Sequence, residues 1–348
     1  MTGAGAGSTN PERSGTGSSV TAPFGTVGTA MVTCFDADGA LDLDATAAVA
    51  VHLLDTGHDL LVVNGTTGES VTTSDAEKDA VLRTVLDVAA ARGSGPGPAT
   101  GRATGRATVL AGVGSADTAH TVRLARAAAA AGADGLLVNT PYYNKPPQSG
   151  LVAHYTAVAD ATDLPVMLYD IPARAGVPIA TETLLRLSEH PRIVAVKDAK
   201  GDVAATTAVL AAGGLTYYSG SDEMNLALLA IGAVGVVSVV GHVAGRCYRE
   251  MVDAVGLGDL ATARRTDRRL VPVVRAIMTR TQGAIMAKAA LQLAGVVPRR
   301  TMRLPLPAAT EFEVAELAAD LRAADLITSD LVTADLLTGR PASAVGVA

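Results

Sequence analysis

The chain has 348 residues, 49% of them hydrophobic and 18% charged, which suits one large α/β domain with appendages and a core that needs no cross-links. A formal net charge of -6, a pI near 5.5 and few aromatics (3%, no Trp) exclude both the electrostatic field and the stacking platform of a nucleic-acid binder. Two cysteines in no paired motif, Cys34 and Cys247, make no disulfide framework and fit a reducing, cytoplasmic setting.

Residues 1–22 are rich in Gly, Ser and Thr and lack an apolar run, so they read as a loose tail rather than a signal peptide. Eight short apolar runs follow: GTAMVTCF (28–35), DLLVVNG (59–65), TVLAGVG (108–114), DGLLVNT (134–140), LPVMLYD (164–170), RIVAVKD (192–198), LTYYSG (215–220) and AVGVVSVV (233–240). None alternates with polar residues, so each is expected to be a strand covered on both faces, as in a parallel sheet. Helical stretches lie between them at 44–56, 74–91, 117–131 and 148–161, and Gly57, Gly132 and Gly232 stand just past helix ends. The stretch 226–241 is almost wholly apolar, but it is short for a membrane span, is broken by Gly232 and Gly235, and reads as helix, turn and strand. Strands separated by helices, with right-handed crossovers, predict an α/β fold: a (β/α)₈ TIM barrel over 23–242 with a C-terminal helical lobe over 243–327. An open doubly wound sheet is disfavoured because no G-x-G-x-x-G turn follows the first strand. A low-complexity insertion, about 92–107, repeats Gly-Arg-Ala-Thr, and 328–348 reads as a second loose tail.

In such a barrel the chemistry sits at the C-terminal ends of the strands. Lys197 closes the run RIVAVK in a chain that otherwise prefers Arg. Two readings stand: a poorly solvated amine, free to form an imine with a ketone, or a lysine that snorkels out or pairs with Asp198. Tyr169 ends the preceding strand, as a proton shuttle or as a core tyrosine with a satisfied hydroxyl. The turn Asn64-Gly-Thr66-Thr67-Gly-Glu69-Ser70 suits a small anion such as a carboxylate, with the following helix supplying N–H groups. It lacks the Gly-Lys-Ser/Thr of a Walker loop. Arg174, in a loop off the same rim, either clamps a second carboxylate or is a solvated surface residue. The six histidines (His52, His58, His120, His154, His190 and His242) form no pair at ligand spacing, so no metal is expected.

Together GTTGES, TPYYNKP, YDIPARAG and VKDAKGD, in this order from about residue 24 to 327, resemble the dihydrodipicolinate synthase family within the pyruvate-dependent class I aldolases. The resemblance implies a cofactor-free lyase that joins pyruvate to L-aspartate 4-semialdehyde, opening the diaminopimelate and lysine pathway. It implies that Lys197 forms the imine with pyruvate and that Tyr169, Thr67 and Tyr143 relay protons, Tyr143 reaching in from a partner subunit. It implies further that Thr66 and Thr67 hold the pyruvate carboxylate, that Arg174 receives the semialdehyde, and that Gly220 and Val237 line the pocket. A homodimer or a dimer-of-dimers tetramer follows from the crossing tyrosine.

Three departures stand out. Lys78 and His120 match the positions where lysine-inhibited members carry a His and a Glu, which predicts weak feedback by lysine. Ser221 stands where many relatives have Asp, and Gly241 where Ala is more usual. The alternatives are a related aldolase acting on a 2-keto-3-deoxy acid and a catalytically silent oligomeric paralogue.

Overall fold

The computed structural model describes residues 22–93 and 105–327. The two tails, apart from Ala22, and residues 94–104 of the insertion lie outside the described residues. The insertion's C-terminal end is built in, because Arg106 clasps the Asp134 carboxylate with two hydrogen bonds of 2.8 and 2.7 Å just before the third strand.

Eight parallel strands, β1 (Val27–Ala30), β2 (Leu60–Val63), β3 (Thr108–Gly112), β4 (Gly135–Asn139), β5 (Val166–Asp170), β6 (Ile193–Asp198), β7 (Thr216–Ser219) and β8 (Gly235–Ser238), close into a barrel in sequence order, with β8 pairing back to β1. The strands are shorter than the apolar runs: 31–35 leaves the barrel after Ala30 as a buried connection. The outer helices are α1 (Leu43–Asp55), α2 (Asp75–Gly93), α3 (Thr118–Ala131), α4 (Gln148–Asp160), the single turn α5 (Pro172–Ala175), α6 (Thr181–Leu187), α7 (Val203–Ala212) and α8 (Asn225–Ala230). Aspartates start several of them: Asp42, Asp117 and Asp202 accept from the first-turn N–H groups of α1, α3 and α7.

Alternation along the strands sorts the side chains into two cores. Leu60, Val62, Leu110, Leu137, Met167, Tyr169, Ala195, Tyr218 and Val237 fill the barrel interior. Leu61, Val63, Val109, Ala111, Leu136, Val138, Val166, Leu168 and Val196, one position out of phase, face the helices. This is why the sequence shows unbroken apolar runs: both faces are buried.

The C-terminal lobe consists of α9 (Gly241–Gly256), α10 (Leu260–Met278), α11 (Gly283–Leu293) and α12 (Glu311–Ala323). It has a core of its own, around Tyr248, Met251, Leu270, Ile277 and Leu317, that is continuous with Val27, Val236 and Val240 of the barrel. Residues Ala287 and Leu291 of α11 belong to the barrel's outer core. As expected, 226–241 forms a helix, a turn and a strand, and no helix among the described residues is long and apolar enough to cross a membrane.

Candidate active site

Lys197 has the same phase as Ala195 and points into the barrel, where it is 3% exposed. Asp198, the next residue, points outward and accepts from the Thr206 hydroxyl and the Lys200 N–H. Neighbours on a strand cannot share a face, so pairing of Lys197 with Asp198 is excluded. The Lys197 amine forms no hydrogen bond or ion pair with a described residue, and lies 4.2 Å from the Tyr169 ring centroid. Burial lowers its pKa from 10.5 to about 8; the Asp222 charge opposes the shift and the Arg174 charge adds to it. The result is an amine that gives up its proton near pH 8 rather than near pH 10.5.

Tyr169 is the register partner of Lys197 on β5, as Tyr218 is on β7. Its hydroxyl is pushed up to about 12 by burial, eased by the Arg174 charge, and accordingly stays protonated. Gly220, just past β7, matters through close approach: a Cβ there would lie 2.7 Å from Lys197 Cγ and 2.9 Å from its Cε. Even a methyl group would push the lysine aside. Val237 is fully buried in the interior cluster that holds Tyr169.

The turn after β2 sits at the same end of the barrel. Thr67 is buried and Thr66 half-buried. The helix does not follow directly, contrary to expectation: a run of turns occupies 64–73 and α2 begins only at Asp75, its first turn capped by Ser74 and Glu77. The N–H groups of Gly68, Glu69 and Ser70 are spent on Gly65 and Thr66 carbonyls, while those of Thr66 and Thr67 donate to no described residue. Any anion here is therefore met by the turn's own amides rather than by a helix end.

Arg174 is exposed on α5, near enough for its charge to act on both Lys197 and Tyr169. Tyr143 is not brought to its own chain's lysine: it is 92% exposed on a left-handed backbone (φ 73°), a conformation that bulky residues rarely hold.

Two acidic groups went unassigned in the sequence. Asp222, buried one residue beyond the departure at Ser221, accepts from the Ser238 hydroxyl, from Asn225 Nδ2 (3.2 Å) and from the N–H groups of Val239 and Val240 (2.9 and 3.1 Å). An acid two residues past the seventh run was the available signal. Asp170, buried at the outward-facing end of β5, accepts from the Ile179 N–H (3.1 Å) and pairs with Lys200 (3.4 Å), anchoring the far end of the Arg174 loop. Gly241 has a packing reason too, since a Cβ there would lie 2.2 Å from Thr29 Oγ1 and 3.1 Å from His58 Nε2. Among the described residues no His, Cys, Asp and Glu side chains group as metal ligands.

Residues 23–324 match the Dihydrodipicolinate synthetase family. A 4-hydroxy-tetrahydrodipicolinate synthase of Kineococcus radiotolerans is 63% identical over 299 residues, 86% of this chain and 92% of that relative. A second from Streptomyces coelicolor is 54% identical, covering 86% of this chain and 95% of that protein. Among solved structures, the dihydrodipicolinate synthase of Cyanidioschyzon merolae with lysine bound superposes with a TM-score of 0.80 at 36% identity, covering 88% of this chain and 99% of that one. The Acinetobacter baumannii enzyme complexed with pyruvate does so with a TM-score of 0.80 at 32% identity, covering 87% and 100%. The fold and its buried lysine thus define an enzyme of the TIM-barrel class. The chain belongs to the dihydrodipicolinate synthetase family.

Proposed function

We propose that the chain is a 4-hydroxy-tetrahydrodipicolinate synthase, a lyase that condenses pyruvate with L-aspartate 4-semialdehyde through an imine on Lys197. The observation that carries the mechanism is the isolation of that amine. It is buried, has no ionic partner among the described residues, and its pKa is lowered to about 8. A buried ammonium without a partner is costly, and the neutral form it favours is the nucleophile.

The neutral amine attacks C2 of pyruvate, and loss of water from the carbinolamine gives the imine. Withdrawal of electrons by the imine releases a methyl proton and leaves an enamine, whose terminal carbon adds to the aldehyde carbon of the semialdehyde. The amino group of that substrate then attacks C2 and displaces Lys197 as the ring closes. In this reading Tyr169, Thr67 and Tyr143 of the partner subunit move the protons. The free N–H groups of Thr66 and Thr67 receive the pyruvate carboxylate, and Arg174 at the rim receives that of the semialdehyde. Gly220 and Val237 shape the wall.

The crossing tyrosine requires at least a homodimer, or a tetramer of two such dimers. The strongly exposed, left-handed Tyr143 supports this reading. The enzyme acts in the cytoplasm.

Borohydride reduction in the presence of pyruvate tests the central step. A pyruvate-derived mass on the peptide carrying Lys197, lost in Lys197→Ala, is expected. A folded protein that yields no adduct would refute the imine and favour a silent paralogue.

A further inference from the structure

The turn that meets the pyruvate carboxylate in the reading above is fastened from behind by the C-terminal lobe. Glu69, in the middle of that turn, is 2% exposed and has a left-handed backbone (φ 54°). A non-glycine residue persists there only where its surroundings hold it. Its Oε1 accepts from Lys288 Nζ of α11 (2.5 Å) and its Oε2 from the Arg303 N–H (2.9 Å). Lys288 is 1% exposed, also donates to the Thr301 carbonyl (2.7 Å), and rests 4.4 Å from the Phe35 ring centroid. The Arg303 guanidinium covers the same ring at 4.3 Å. It also donates to the Thr72 carbonyl (2.9 Å) and to both Glu77 oxygens (3.0 and 2.6 Å). The middle and the C-terminal end of the segment are thereby gripped by residues more than 200 positions away in sequence.

From this arrangement we infer that Glu69 and Lys288 are positioning residues for carboxylate recognition. Their buried ion pair fixes the turn so that the Thr66 and Thr67 N–H groups stay aimed at the substrate's anion. The link is short. The Glu69 N–H donates to the Thr66 carbonyl (3.1 Å), so a shift of Glu69 moves the peptide next to the anion site. Stability alone does not account for the pair. Two buried charges recover their desolvation cost only with good geometry, and apolar residues of similar volume often do as well. What such residues lack is direction. The lobe, with a core of its own, thus becomes part of substrate binding.

This inference rests on the proposed function, and the test separates the two. Lys197 trapping is measured against pyruvate and against its uncharged isostere 2-oxopropanamide, in the wild type and in the charge-neutral double variant Glu69→Gln/Lys288→Met. The double variant should need at least tenfold more pyruvate for half-saturation. Its maximal trapping rate and its half-saturation by the amide should change less than twofold. Unchanged pyruvate half-saturation in the folded variant would overturn the inference and leave the imine mechanism standing; so would equal weakening for both ketones, the mark of general loosening. Absence of any adduct on the wild type would overturn both. If the double variant fails to fold, Glu69→Gln alone serves: its amide keeps the bond from Lys288, loses the one from the Arg303 N–H, and should weaken pyruvate selectively by about threefold.

Discussion

Lys197 serves chemistry at the expense of stability, and the two can be measured apart. Its pKa falls from 10.5 in the unfolded chain to about 8 in the fold. At pH 7 both states hold the proton, and burying the charge costs up to about 3 kcal/mol; the penalty disappears as pH rises from 8 to 10.5. Lys197→Met, which keeps the volume and removes the charge, should therefore raise the melting temperature by a few degrees at pH 7, with the gain shrinking towards pH 10.5. The rate of pyruvate trapping by the wild type should rise with pH, pass half its limit near pH 8 and level off above about pH 9. A variant no more stable than the wild type, together with a flat rate profile, would mean that the amine is not desolvated. The lysine itself could be read from the sequence, but its direction could not. In a strand buried on both faces hydrophobicity does not distinguish inside from outside, so which of Lys197 and Asp198 faces the interior stayed open until barrel closure fixed the phase. Gly220 was legible only through the family resemblance, because its reason, the passage of the Lys197 stem, is a contact across two strands.

Among the elements, the long helices α1 to α4 were legible to within two residues, since apolar spacing marks them and aspartate caps start α1 and α3. The short α5 and α6 were not, because one or two turns carry too little periodicity; tertiary anchors such as Asp170 accepting from the Ile179 N–H hold their loops. Helices α2 and α3 bring together the two residues that matched the inhibitor positions of lysine-regulated relatives. Lys78 Nζ donates to the Thr73 carbonyl (2.6 Å) and lies 3.7 Å from Asp75, whose carboxylate also meets His120 Nε2 at 3.0 Å. An ammonium ligand entering this corner meets a half-neutralised cation and a histidine already engaged, not a free carboxylate. L-lysine should accordingly leave turnover nearly unchanged up to millimolar concentration. Low-micromolar inhibition of the purified enzyme would contradict this reading.

For the molecule as a whole, the barrel was legible from eight apolar runs, whereas the tie between Glu69 and Lys288 was not, because contacts 219 residues apart leave no local pattern. The same long-range packing buries three histidines as neutral rings. His242 Nε2 accepts from the Val32 N–H (3.1 Å) while its Nδ1 donates to the Val239 carbonyl (2.7 Å), so a second proton would set two donors face to face. His58 is held between the Leu53 carbonyl and Thr29 Oγ1 at 2.8 Å each, and His154 meets Thr118 Oγ1 at 2.9 Å. Burial lowers their pKa values from 6.5 to about 3 for His58 and about 4 for His154 and His242. Each folded pKa lies below its unfolded value, so the unfolded chain binds more protons below pH 6.5 and stability falls as pH falls. Between pH 6.5 and 5 each histidine withdraws roughly 2 kcal/mol. Asp170 works in the opposite sense: burial raises its pKa from 3.8 to about 6, so below pH 6 the fold takes up its proton first. By pH 5 that returns roughly 1.4 kcal/mol, leaving a net loss of about 4 to 5 kcal/mol. Urea denaturation at pH 7 and pH 5 should show a loss of this size. His242→Asn, whose amide oxygen can still accept from Val32, should remove about 2 kcal/mol of it. Equal midpoints at the two pH values would mean that these rings are not held neutral.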